Sequence, residues 1–167
     1  METRDRIPRP MIADPDGVFG QTLAAERRLA AAKGRSYAGR LECNLEWDTG
    51  APLPTILQWE HEAHVLFYLR SCKHVGAIIF ERCVATRFGP PGEEGHALEG
   101  HGWEPHTLLE VINSAWLSKM VGRTNGYSHF LISFHDTSFE CIARSFRTSQ
   151  LPGTFADAVQ QTIEQWD

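Results

Sequence analysis

The stretch that decides the fold class is HFLISFHDTSFECIARSF, residues 129–146. Apolar side chains occupy alternate positions on both sides of the polar residues 136–138, which is typical of two β-strands that each bury one face. Asp, Thr and Ser supply turn chemistry between the two strands. The pattern predicts a β-hairpin with a two-residue loop, in which Phe134 lies opposite Phe139 or Cys141. Either register keeps the apolar residues together, because a shift of two residues preserves the face of the sheet.

The same alternation extends upstream and predicts more strands. Residues 41–48 alternate most regularly, with Leu, Cys, Leu and Trp on one side and Glu, Asn, Glu and Asp on the other. Residues 75–88 are apolar in both phases, which indicates a central strand that is covered on both faces. Shorter apolar runs predict strands over 55–60, 64–70 and 107–112, of which the first two form either a hairpin or one long bent strand.

Helices are expected near both ends of the chain. Composition and capping residues predict helices over 18–33 and 154–166, and a short helix over 114–121. Residues 1–17 carry three prolines and several charges and are predicted to form an N-terminal arm, followed by one domain over 18–167. The predicted fold class is therefore α+β: one curved, mainly antiparallel sheet of about six strands, with an N-terminal and a C-terminal helix packed on it.

Composition excludes several classes of protein. The hydrophobic share of 42% and charged share of 22% are ordinary for a globular domain. A formal net charge of -5 gives no electrostatic reason to expect a nucleic acid or an anionic membrane as partner. The four cysteines contain no CxxC pair, and no apolar leader follows the N-terminus. We expect a cytoplasmic protein with reduced thiols.

The long segment 89–105, GPPGEEGHALEGHGWEP, is the first candidate site. Loops of this length in compact domains are commonly lids or binding loops. Its histidines and carboxylates are ligand types for zinc or iron, but their spacing matches neither a zinc finger nor the HExxH helix. A solvated loop anchored by Trp103 is the favoured interpretation, so no metal is predicted. The histidines in question are His96, His101 and His106.

The polar face of the predicted terminal hairpin is the second candidate site. His135 is predicted to lie across from Glu140, where a carboxylate orients an imidazole and raises its pKa. That pairing suits general acid–base chemistry. A cross-strand salt bridge on a wet face is the competing interpretation. The residues expected on or beside this face are Ser133, His135, Glu140, Arg144 and His129, with Asp136 at the turn.

Two acidic residues inside apolar strands form the third candidate. If the sheet curls, Glu81 and Glu110 enter one concavity, where desolvation raises the pKa of a carboxyl group and marks a functional site. Alternatively, each carboxylate pairs with a neighbouring arginine such as Arg82 or Arg87 and is purely structural.

Two segments resemble an uncharacterised family of small bacterial proteins. They are FGPPGEEGH, residues 88–96, and FHDTSFE, residues 134–140. The resemblance covers the C-terminal half of the chain. It implies a bacterial origin and carries no activity, cofactor or catalytic residue with it.

These patterns lead to two functional hypotheses. The first is a domain with a pocket for a small organic molecule, acting as a cofactor-independent lyase, isomerase or hydrolase. His135 or His101 is then the acid or base, Glu140 or Glu110 its partner, and 89–105 a lid. The second is a protein-binding module, such as an immunity or accessory factor, whose acidic surface attracts a basic protein partner. The residues assigned to binding in these hypotheses are Glu81, Trp103, Asp136 and Arg144.

Overall fold

The computed structural model describes residues 33–51, 54–70, 74–91, 105–120 and 125–166. These residues form nine strands and two helices. The strands are β1 (Tyr37–Arg40), β2 (Thr55–Trp59), β3 (Glu62–Tyr68), β4 (His74–Glu81), β5 (Ala85–Gly89), β6 (Leu108–Ile112), β7 (Ser128–Ser133), β8 (Ser138–Ala143) and β9 (Ser145–Pro152). The helices are α1 (Ala115–Lys119) and α2 (Phe155–Glu164).

Some predictions fall on residues outside these ranges. The predicted arm 1–17 lies wholly outside them, and so does the predicted helix 18–33 except for its last residue. Most of the segment 89–105, including His101 and Trp103, is also outside. Among the residues that are described, neither helix has the length and apolar character needed to cross a membrane.

The strands form two antiparallel sheets. The five-stranded sheet has the order β1-β6-β7-β8-β5, and the four-stranded sheet has the order β2-β3-β4-β9. The prediction of a mainly antiparallel sheet with helices is confirmed at this level, but the prediction of one curved sheet of about six strands is wrong. The described core lies largely between the two sheets.

Two chain segments cross from one sheet to the other at the same place. The predicted strand 75–88 divides into β4 and β5 around Arg82, whose φ is 51°. Close by, β8 passes into β9 at Arg144, whose N–H donates to the Glu81 carbonyl at 3.0 Å. Bends of this kind make the corners between packed sheets. The local sequence did not reveal this corner, because β4 is apolar on both faces and runs into β5 without a Gly or Pro break.

Aromatic rings fill the core between the sheets. Phe80, which is fully buried, lies 5.4 Å from Phe130 and 5.4 Å from Phe139 between ring centroids. The four-stranded sheet supplies Phe80, and the five-stranded sheet supplies the other two rings. Phe67 stacks on Trp47 and leaves no room for a side chain at Gly76, since a Cβ there would lie 2.5 Å from the Phe67 ring. These contacts join the two sheets into one packed interior.

The segment 41–48 keeps its predicted pattern of burial without forming the predicted strand. Leu41, Leu45 and Trp47 are buried, and the alternate side chains are exposed or half-buried. Its backbone pairs at the two ends: the Leu41 N–H donates to the Leu108 carbonyl at 2.9 Å, and a bridge joins Trp47 to Leu69. The alternation therefore predicted which side chains enter the core, whereas the backbone partners that a strand requires lie elsewhere in the fold.

Both described helices begin at a capping residue, which the sequence predicted for α1, as Ser114 or Asn113, but not for α2. Ser114 caps α1, and Thr154 caps α2 through a capping box with Asp157. Helix α2 covers the outer face of the four-stranded sheet and buries Ala158 there. The predicted apolar side of this helix is only partly buried, since Ile163 is 41% exposed.

Candidate functional site

The terminal hairpin forms with a register that differs from the predicted one. Strand β7 pairs Leu131 with Glu140 and Ile132 with Phe139, and four residues connect the strands. The Phe134 N–H donates to the Thr137 carbonyl at 2.7 Å and closes this longer turn. The predicted pairing of His135 with Glu140 is therefore wrong, and His135 is exposed at the turn. The pairing still keeps the apolar residues on one face, as predicted.

Glu140 instead bonds to His129, one strand away on the outer face of the five-stranded sheet. Phe130 and Phe139 point into the core between the sheets, so their neighbours His129 and Glu140 point away from it. His129 Nε2 lies 3.1 Å from Glu140 Oε2. Both side chains are almost fully buried, with 0% and 1% of their surface exposed. The prediction that these two residues share a face is confirmed.

Ser114 hydrogen-bonds to this pair, so that Ser114, His129 and Glu140 form one line of hydrogen-bonded side chains, the Ser114 line. Strand β6 ends at Ile112, Asn113 turns the chain with a φ of 56°, and Ser114 then caps α1. This turn places Ser114 Oγ 2.8 Å from His129 Nδ1. The same oxygen accepts the Leu117 N–H at 3.0 Å. The imidazole therefore lies between a hydroxyl on one ring nitrogen and a carboxylate on the other.

The chemistry of the groups sets the direction of these hydrogen bonds. An ionised Glu140 only accepts, so His129 donates its Nε2–H to it. In a neutral imidazole the other nitrogen, Nδ1, is then an acceptor, and the Ser114 hydroxyl donates to it. Glu140 receives a further, longer bond from Ser138 Oγ at 3.5 Å. A hydroxyl that donates to a carboxylate-oriented imidazole is the arrangement that activates a serine.

Two further side chains connect the buried line to the surface. The Trp116 ring lies edge-on to His129, with centroids 5.1 Å apart and planes at 87°. The Arg87 guanidinium lies 3.9 Å above the Trp116 ring. Arg87 is exposed and is the cross-strand partner of Glu140 on β5. The site is therefore closest to the surface on the side of α1 and β5.

The structure separates the other predicted site residues. Glu110 accepts from Ser128 Oγ at 2.6 Å on the five-stranded sheet, whereas Glu81 belongs to the four-stranded sheet. The predicted shared concavity of Glu81 and Glu110 is wrong, because Glu110 shares the inner face of its sheet with Leu108, whereas Glu81 shares the outer face of the other sheet with Ile79. Asp136 is exposed at the hairpin turn, and Arg144 is exposed at the corner, 5.6 Å from the Tyr127 ring.

Sequence reasoning missed the roles of Ser114 and His129. The pattern placed His129 on the outer face and Ser114 at the start of a helix, but it gave no sign that they meet. They are 15 residues apart, and their contact depends on the turn after β6 and on the pairing of β6 with β7. The available signal was a polar residue, His129, on the outward phase of an otherwise apolar strand.

A second buried imidazole lies on the four-stranded sheet, beneath the end of α2. His64 is 2% exposed, and its Nε2 lies 3.0 Å from Glu62 Oε2. The Trp166 ring packs against it, with centroids 4.9 Å apart. Burial lowers the pKa of His64, and the hydrogen bond to Glu62 opposes that effect only in part.

We expect this burial to make stability depend on pH. The unfolded chain takes up a proton on His64 near the ordinary pKa of about 6.5, whereas the folded chain resists it, so stability is full above that pH and falls as the pH drops. His64→Phe should flatten the fall in unfolding free energy between pH 7 and pH 5, measured by urea denaturation. His61→Phe, at an exposed imidazole, should keep the wild-type dependence. An unchanged slope in His64→Phe would contradict the assignment.

Comparison with known proteins finds no relative of this chain. No protein-family model, curated protein or solved structure matches the chain. The resemblance to a bacterial family through 88–96 and 134–140 therefore stays a prediction. Within the described ranges, no group of three or more His, Cys, Asp or Glu side chains is placed to hold a metal ion.

Proposed function

We propose that this protein is a cofactor-independent hydrolase that acts on a small organic molecule through Ser114, His129 and Glu140. The observation that carries the proposal is the unbroken hydrogen-bonded line of hydroxyl, imidazole and carboxylate. Of the lyase, isomerase and hydrolase reactions, hydrolysis fits best, because the hydroxyl held against the imidazole can act as a nucleophile.

In the proposed reaction, Ser114 Oγ attacks an acyl carbon and His129 Nδ1 accepts the hydroxyl proton. Glu140 holds the ring in place and stabilises the imidazolium that forms. The imidazolium then gives its proton to the leaving group as the acyl–serine bond replaces the acyl–leaving-group bond. Water, activated by the same imidazole, releases the acid and restores Ser114.

Access to Ser114 requires movement of α1, because the Ser114 side chain is buried. Helix α1 has five residues, and none of them is buried. An element with so few buried contacts opens at low cost in free energy. Opening on this side also exposes the face next to Arg87, where a substrate would enter.

A fluorophosphonate probe tests the proposal directly, because it labels only a serine with an activated hydroxyl. We expect the purified full chain to gain one label, mapped by mass spectrometry to Ser114. Ser114→Ala should abolish the label, and His129→Gln should slow labelling by about 100-fold or more. Ser114→Ala removes a helix cap, at about 1 kcal/mol, and leaves the buried His129 Nδ1 without its donor, at about 1–3 kcal/mol, so circular dichroism is used to show that the variant is folded before its label is scored.

Ser128 provides the matched control, because its hydroxyl bonds to the Glu110 carboxylate without an intervening imidazole. Ser128→Ala should label like the wild type. The proposal is overturned if the folded wild-type protein takes no label, or if the label maps to Ser128 or another serine.

A further inference from the structure

An exposed indole lies at the edge of the four-stranded sheet, whereas His129 and Glu140 belong to the five-stranded sheet. Trp59 is the last residue of β2 and is 51% exposed. One of its neighbours is Trp166, just beyond α2, with ring centroids 6.1 Å apart and planes at 12°. This near-parallel stack supports Trp59 from one side. A large apolar surface held in place and half open to solvent is typical of a recognition site.

Carboxylates lie in the same row of the sheet. Trp59 is the cross-strand partner of Glu62, and Glu62 is in turn the partner of Glu81. Like charges directly opposite each other destabilise a sheet. Arg147 Nε lies 3.2 Å from Glu81 Oε1 and balances that carboxylate.

Glu62 has a lowered carboxyl pKa because of its hydrogen bond with His64 and, to a smaller extent, because of the Trp166 side chain and of Arg147, whose ion pair is with Glu81. Its hydrogen-bond partner His64 is held toward the neutral form by burial, and its Oε2 is the oxygen that His64 engages. The Glu62 side chain is 38% exposed, next to the exposed Glu60. The face beside Trp59 is therefore negative and open to a cation.

We propose that Trp59 and Glu62 form a docking site for an arginine side chain of a basic protein partner. A guanidinium stacks on an indole face and pairs with a carboxylate at the same time, which an ammonium does less well. The net charge of -5 favours approach of such a partner. Ile163, whose carbonyl accepts the Trp166 backbone N–H, is also exposed, at 41%. This site lies on the other sheet from Ser114, so the two proposals are independent.

Fluorescence anisotropy with a labelled peptide of Arg-Gly-Gly repeats tests the docking site on the purified full chain. At 0.15 M salt, Trp59→Ala should weaken binding about fivefold. Glu62→Gln should weaken binding and reduce its dependence on salt. A peptide with citrulline in place of arginine should not bind, because it keeps the shape and loses the charge. A lysine version should bind more weakly than the arginine version.

Phe88→Ala is the matched control, since Phe88 is 48% exposed on the five-stranded sheet. It should bind like the wild type. Glu60→Gln supplies a second change of charge that leaves the bond between Glu62 and His64 intact. The proposal is overturned if the wild type does not bind the arginine peptide, if Trp59→Ala and Phe88→Ala bind equally, or if both glutamine variants bind like the wild type.

Discussion

Replacing Glu140 by Leu is expected to lower the free energy of unfolding by about 3–5 kcal/mol. The carboxylate is 1% exposed and bonds to His129, so its removal leaves a buried imidazole nitrogen without its acceptor. The register of β7 and β8 keeps both side chains buried, and water cannot easily take the place of the lost oxygen. Urea denaturation followed by circular dichroism gives the value.

Two further variants separate the contribution of the hydrogen bond to the free energy of unfolding from the effect of replacing the side chain. Glu110→Leu removes a half-buried carboxylate from strand β6, which pairs with β7, and should lower the free energy of unfolding clearly less. The double variant with His129→Leu and Glu140→Leu should recover part of the loss, because the buried imidazole that lost its acceptor is then removed as well. A loss below about 1 kcal/mol in Glu140→Leu would show that the bond to His129 contributes little to stability.

Phe80→Ala should destabilise the protein by a similar amount, about 3–5 kcal/mol. Phe80 is fully buried and contacts rings from both sheets, including Phe146 at 6.3 Å between centroids. Removing the ring leaves a cavity where the two sheets meet, and the surrounding aromatic rings are too rigidly packed to fill it. The unfolding midpoint should fall with an unchanged m-value, since the surface exposed on unfolding stays nearly the same.

Phe88→Ala again provides the comparison, because it removes the same side chain from an exposed position on β5. Its effect should stay within about 0.5–1 kcal/mol. Comparable losses in Phe80→Ala and Phe88→Ala would contradict the description of Phe80 as the contact that joins the two sheets.

Ser114, His129 and Glu140 contribute both to stability and to the proposed function, and different variants test the two. Glu140 and His129 stabilise the outer face of the five-stranded sheet whether or not the protein is an enzyme. Ser114 distinguishes the two, because its loss should remove the fluorophosphonate label while costing a helix cap and one hydrogen bond to His129. A folded Ser114→Ala variant is therefore the most informative single variant for function.

Local patterns predicted most of the described elements. The hairpin of β2 and β3, strand β6, the cap at Ser114 and helix α2 all agree with the sequence. Alternation also identified the buried side of 41–48 and the outward position of Glu140. The pairing of His135 with Glu140 was wrong because turn length shifts a register without changing the alternation that sequence displays.

The sequence by itself determined which face of each strand the side chains occupy, because that alternation is a property of the local backbone, but it did not reveal that His129 and Glu140 are buried on the outer face. Only the tertiary structure decided that the strands divide into two sheets at Arg82 and Arg144, and that Ser114, His129 and Glu140 form one line. Strand pairing joins residues far apart in the chain, and its outcome depends on how both sheets pack around a shared core.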